Sequence, residues 1–373
     1  MYPNLVSFYL LEMTSIKYEI NDLRFPKDFK GISFSKHKKT EVKSELTQSL
    51  LKAKVEPACY WAAELICAGH YGDLWEILLH YVGKHIHLGN PKLVIYLHMR
   101  YEIFDEIITN GTYLSELHLR NNQNMRKLFA EIIAMVALSN KKNSFEPIRI
   151  NRIEEFDITQ MTERLKAPSL QYIENVFRKE DPKELVIAVN EFAYNISSDR
   201  TNSAFACYWI EWIIDFDIIC KKRKEPVYAD RRAKAPVEGK YQSDIIWIFW
   251  DALHTRASQL RNEFITKVMD ALYKLFSIKY TTAACKKRRY LLYFAVALVT
   301  EPVPTSIDLI SAKETVQTVV ANIDDIYKQI KKNEEVPKTD YLFSNLDKQF
   351  AMEKSARKME LMDSLNVIPR NVP

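Results

Sequence analysis

Glycine is scarce in this chain, with seven in 373 residues. Glycine supplies tight turns and the left-handed backbone of phosphate loops, so few of either are available, and long helices joined by short connections are favoured. No Gly-x-x-x-x-Gly-Lys-Ser/Thr, Gly-x-Gly-x-x-Gly or Gly-x-Ser-x-Gly occurs. Nucleotide-loop, dinucleotide-fold and hydrolase-elbow chemistry therefore lack their anchors. His-Glu-x-x-His and Cys-x-x-Cys are absent as well. The five cysteines, Cys59, Cys67, Cys207, Cys220 and Cys285, are an odd number in apolar helical context. They read as reduced thiols and not as a disulfide framework. Long hydrophobic runs are missing too: Ile245–Trp250 and Leu291–Val299 fall well short of the roughly 20 residues of a membrane span. The apolar start Met1–Leu11 has neither a basic head nor a small-residue cleavage site, so it does not read as a secretory signal.

What remains is an apolar and charged mixture, 47% and 27% of residues, with a formal net charge of +5. This is the composition of a globular protein long enough for two domains. Residues 1–39 mix aromatics, prolines and cations without a period and read as an extended arm. From Thr40 the pattern turns helical. Leu46, Leu50 and Leu51 share a face, Pro57 fits a first turn, and Asp73-Leu-Trp-Glu76 has the spacing of a capping box. Gly89-Asn90-Pro91 stops one helix and starts another, and a helix from Leu114 to Leu138 completes a first bundle over 40–138. Residues 139–158 lose the period and read as a linker. Asp181-Pro-Lys-Glu184 reopens helical sequence in a second bundle over 159–300. Residues 301–373 read as one capped helix from Ser311 to Lys332 and a docking tail. The fold class expected is all-α.

Ala-Cys-Tyr-Trp occurs twice, at 58–61 and 206–209. Each copy is followed by a tyrosine and then an aspartate before a tryptophan-bearing apolar helix. The second copy carries an insertion at 221–240, of the kind a surface loop accommodates. Duplication of a helical unit and two independent aromatic helices both account for this pattern.

Chemistry-bearing residues are few. Cys59, Cys67, His70, His80, His85, His87 and His98 form a loose Cys/His cluster, but without the tight paired spacings of a zinc site, and no cofactor or metal is expected. The pairs Glu154/Glu155, Asp215/Asp217 and Asp324/Asp325 resemble solvated helix faces more than catalytic carboxylates. Trp61, Trp75, Trp209, Trp212, Trp247 and Trp250 sit at core spacings. The live signal is two basic clusters, Lys221, Lys222, Arg223 and Lys224 with Arg231 and Arg232, and Lys286, Lys287, Arg288 and Arg289. Such density suits phosphates of nucleic acid or lipid, the first also resembles a bipartite nuclear import signal, and a solvated loop is the plain alternative. Apolar anchors mark both ends: Tyr2, Phe8, Tyr9 and Leu10 in the arm, and Tyr341, Phe343, Phe350, Met359 and Met362 in the tail. These anchors and the basic clusters are the candidate partner-binding residues.

Phe34-Ser-Lys-His-Lys38, Glu56-Pro-Ala-Cys-Tyr-Trp-Ala-Ala-Glu-Leu-Ile-Cys-Ala-Gly-His70, Asp73-Leu-Trp75 and His87-Leu-Gly-Asn-Pro-Lys-Leu93 resemble a family of virion-associated proteins of large icosahedral nucleocytoplasmic double-stranded DNA viruses. The likeness spans Phe34 to Ile107. It implies a non-enzymatic structural protein of the virion, a minor capsid protein tying together the inner side of the shell and assembled in the host cytoplasm. Its partners would be major and minor capsid proteins, with inner-membrane headgroups or genome facing the basic loops. Tyr60-Trp61, Asp73 and Gly89-Asn-Pro91 are similar to the helical collar of clamp-loader ATPases, without the ATPase portion. The alternative function is accordingly a nucleic-acid-binding or collar-like helical factor.

Overall fold

The computed structural model describes residues 18–111, 113, 115–151, 164–310, 312–336 and 352–359. Among them the chain is all-α, with one isolated bridge between Ile32 and Lys38. A first group of helices comprises α1 (Lys39–Leu51), α2 (Val55–Cys67), α3 (Tyr71–Tyr81), α4 (Lys92–Asn110) and α5 (Gln123–Leu138). A second comprises α6 (Val186–Ile196), α7 (Ser203–Lys222), α8 (Ile246–Gln259), α9 (Glu263–Ser277), α10 (Thr282–Lys287) and α11 (Arg289–Thr300). Then follow α12 (Lys313–Ala321) and α13 (Ile323–Lys331).

Side-chain caps decide several boundaries. Asn122, Asn202 and Asn262 each accept a hydrogen bond from a first-turn amide, which starts α5, α7 and α9. The cap at Asn122 is why the helix expected from Leu114 begins only at Gln123, after a 3-10 turn over Glu116–Asn121. Asp73 is not the cap of α3, because the helix already starts at Tyr71; its carboxylate instead takes the Lys39 ammonium at 2.8 Å. The helix expected from Ser311 to Lys332 is two, broken at Asn322.

The two Ala-Cys-Tyr-Trp helices, α2 and α7, make like pairings. Each forms a hairpin with the helix before it, α1 or α6, and each receives the last helix of its group, α5 or α11. Antiparallel helical hairpins pair this way whatever their origin, so duplication is not established by it. The packing also differs, since Tyr208 and Trp209 are buried while Tyr60 and Trp61 are half-buried.

One continuous apolar core runs from Ile20 to Ile330. Helix α4 packs on α9, and α11, buried from Tyr290 to Val299, lies against the turn that follows α3. That turn is a π-helical stretch at Val82–Ile86 followed by a 3-10 turn at His87–Gly89. The segment 140–144 folds back onto it, with Lys142 N donating to Ile86 O at 3.2 Å and Ser144 N to Lys84 O at 2.7 Å. Gly89 is needed for this approach, because a Cβ there would stand 2.7 Å from Asn140 O and 2.8 Å from Lys142 N. Backbone cannot yield as a side chain can. Gly89→Ala is therefore expected to lower stability by about 1–3 kcal/mol, read as a shifted denaturant midpoint at unchanged m.

The segment expected as an arm is built into this core from Tyr18 onward. Ile20, Phe29 and Phe34 are fully buried, and the Arg24 guanidinium lies 4.7 Å from the centroid of each of the Phe29 and Phe34 rings, which stack on one another. Ser33 and Ser35 hydroxyls donate to the buried Glu64 of α2, and His70 Nε2 lies 2.8 Å from Ile32 O. Helix α13 belongs to the same closure and not to a tail, with Ile326, Tyr327 and Ile330 buried. Arg126 of α5 joins the two ends: it donates to Tyr18 O and to Asp324, and its guanidinium lies 4.0 Å from the Tyr327 ring centroid. Leu23 N donates to Glu335 O, and Glu335 N to Asp22.

Candidate functional site

The basic clusters do not stay together as two charged surfaces. Arg232 is an interior residue, 2% exposed, whose guanidinium donates to both Asp181 oxygens, to Asp251 at 3.0 Å and to Asp230 O at 2.7 Å. Burial alone would raise the Asp181 carboxyl, but hydrogen bonds from Arg232 and the Arg178 amide hold it below the usual range. Arg231 is exposed, and its Nε donates to Gln242 at 2.7 Å. With Ala229 N donating to Ser243 O and Arg232 N to Gln242 O, these arginines pin the long α7–α8 connection to the body.

The second cluster divides in the same way. Arg288 is buried and donates to Phe276 O and Ile278 O, each at 2.6 Å, and to Glu76 of α3 at 3.1 Å, so it ties the two helical groups together. Arg289 pairs with Glu211 at 2.7 Å, and Tyr293 donates to the same carboxylate. Burial raises the Glu211 carboxyl, and Arg289 and Tyr293 only partly offset it. Lys221 pairs with Asp217, one turn back on α7. Lys222, Arg223, Lys224, Lys286 and Lys287 are exposed at the ends of α7 and α10, where cations suit the carbonyl end of a helix. Arg232 and Arg288, counted as partner-binding candidates from the sequence, are thus structural cations. A run of charges looks like surface because sequence does not reveal a carboxylate 51 or 212 residues away.

The Cys/His cluster disperses. Cys59 and Cys67 are core thiols raised by burial, His70 contacts the carbonyls of Phe29 and Ile32, and His85 contacts Asn143. His98 lies near Glu102. No three His, Cys, Asp or Glu side chains among the described residues gather as a metal site. His87 is buried and stacked on Phe294 at 4.9 Å between centroids, at a positive φ of 46°, and burial lowers its pKa to about 4. An unfolded histidine takes a proton near pH 6.5, so unfolding is increasingly favoured as pH falls from there to about 4. His80 and His254 are lowered by burial in the same direction. The expected loss from His87 alone is roughly 3 kcal/mol across that window. Urea midpoints at pH 7 and pH 4.5 should differ less in His87→Asn than in the parent chain.

One sizeable apolar cavity, about 280 Å³, opens between α7, the start of α8 and α10. Ile213, Ile214 and Ile218 of α7 and Ile245 and Ile246 at the start of α8 line it, and its exposed lining residues, Ala283 and Lys286, mark the mouth. Asp244, a buried residue of the lining, accepts from Tyr280 Oη at 3.0 Å and Thr282 Oγ1 at 2.8 Å. Asp217 is raised by burial, opposed by Lys221. Lys221 and Lys286, from clusters far apart in sequence, both reach this region. The cavity itself escaped sequence reading, since its isoleucines looked like ordinary core and three separate segments make it.

Of the terminal anchors, Met359 lies in a helix over residues 352–359 whose every residue is exposed. Met352 is 73% and Met359 71% exposed, and with Ala356 they fall at i, i+4 and i+7 on one face. Tyr2, Phe8, Tyr9, Leu10, Tyr341, Phe343, Phe350 and Met362 lie outside the described residues. No helix among the described residues is long and apolar enough to cross a membrane. Comparison with protein-family models, with curated proteins and with solved structures finds no match to this chain.

Proposed function

We propose that this is a non-enzymatic structural assembly protein, a minor capsid protein on the inner side of a large DNA virus shell. The observation that carries the assembly reading is the exposed helix over 352–359, whose apolar stripe of Met352, Ala356 and Met359 is covered by no described residue. Such a stripe is the anchor spacing of a helix that lies in a partner's groove. The viral setting comes from the resemblance of residues 34–107, and the packing of those residues agrees with a scaffold role. Phe34 N reaches Glu64 O, Ser35 reaches the Glu64 carboxylate, and His37 meets the Trp61 ring edge-on at 5.4 Å. They close on one another instead of framing an open site. The partners in this reading are major and minor capsid proteins. Cross-linking of intact purified particles should join the 337–373 region to another capsid protein. A chain recovered only from the unassembled fraction would reject the proposal.

The exposed remainder Lys222, Arg223, Lys224, Arg231, Lys286 and Lys287 supports a second reading, attachment to nucleic acid. That reading requires binding to DNA or RNA at low salt that weakens steeply as salt rises, and loss of it when these residues are neutralised.

A further inference from the structure

The cavity between α7, α8 and α10 has a one-sided chemistry. The apolar part of its lining is the side chains of Ile213, Ile214, Ile218, Ile245 and Ile246, which water solvates poorly. The polar groups in its lining, the carboxylates of Asp217 and Asp244 included, are engaged within the chain. Asp244 is held by Tyr280 and Thr282, and Asp217 by Lys221. Lys286 is different: it lines the cavity, is exposed, and has no ion pair among the described residues, although its charge reaches Glu211, which Arg289 already holds. A complementary ligand has an apolar body and one negative charge at one end. We propose that this cavity binds the acyl chain of an anionic amphiphile, with the Lys286 ammonium holding its head at the mouth. The ligand chemistry is common to a free long-chain carboxylate and an anionic membrane lipid. The site is a property of the folded chain and does not rest on the assembly reading.

The test uses the full chain, with myristate, myristyl alcohol, and vesicles of phosphatidylcholine with or without phosphatidylserine as probes. Myristate is expected to bind saturably and to be preferred over the alcohol. Lys286→Ala should weaken myristate binding roughly fivefold, the worth of one exposed charge contact, and abolish the preference. Ala283→Trp, at an exposed position on the mouth, should block entry while leaving the helical dichroism unchanged. Ile218→Trp serves if that variant misfolds. Binding of anionic vesicles that Ala283→Trp abolishes identifies a membrane lipid as the source, and binding of myristate alone identifies a free acid. The proposal is overturned if neither probe binds, if the blocking variants bind as the parent does, or if Lys286→Ala leaves the preference intact. Vesicle binding that survives Ala283→Trp would mean surface charge only, and would equally overturn it.

Discussion

Deleting residues 1–39 should leave no cooperatively folded protein. The expectation follows from the side chains that residues 18–39 place in the core. Ile20, Phe29 and Phe34 are fully buried, and losing three such side chains removes roughly 5–9 kcal/mol at the usual transfer values. Glu64 of α2 would also lose its hydrogen bonds from the Ser33 and Ser35 hydroxyls and from the Ser35 amide. Together these losses match the whole net stability of an ordinary domain, about 5–15 kcal/mol. Circular dichroism and urea titration of the truncated and full chains read the difference. A cooperative transition for the chain starting at residue 40 would restore the expectation of a dispensable arm.

Replacing Arg232 should be the most damaging single substitution. Arg232→Ala leaves Asp181 buried without its bidentate partner and removes the link to Asp251 and the carbonyl of Asp230. Breaking a buried pair from one side costs about 3–5 kcal/mol, mostly the penalty of the stranded charge. Arg232→Ala/Asp181→Ala together should recover part of that loss, because no charge is stranded. Lys224→Ala, the exposed neighbour on the same connection, should shift the midpoint by less than about 0.5 kcal/mol. Equal effects of Arg232→Ala and Lys224→Ala in urea titration would mean that the cluster is surface after all.

The helical class was legible because its signals are local. Few glycines, a proline fitted to a first turn at Pro57 and apolar residues on repeating faces are all signals read within one or two turns. What misled was the assumption that charge and irregularity mean surface. Residues 18–39 have no period, yet Phe29 and Phe34 stack on each other beside Arg24, a contact decided by three-dimensional closure and not by spacing. Arg232 and Arg288 stand in basic runs beside exposed lysines, and only Asp181, Asp251 and Glu76, distant in sequence, determine that these arginines go inside. Guanidinium, with five donors in a planar fork, suits such interior ties, whereas the lysines of the same runs stay in water. The clusters therefore sort by residue type more than by position. Of the candidate site, Lys286 was visible in the sequence, but the isoleucine walls it borders come from 213–218 and 245–246 and meet it only in the fold.

The assembly account is tested most directly by incorporation into particles of a chain lacking residues 337–373, compared with the full chain. The deletion spares the described closure of Arg126, Tyr327 and Glu335 on the N-terminal segment. The account predicts a protein that still unfolds cooperatively in urea, short of the helical signal of residues 352–359, and that is absent from purified particles. Incorporation of the truncated chain at the full-length level would contradict it.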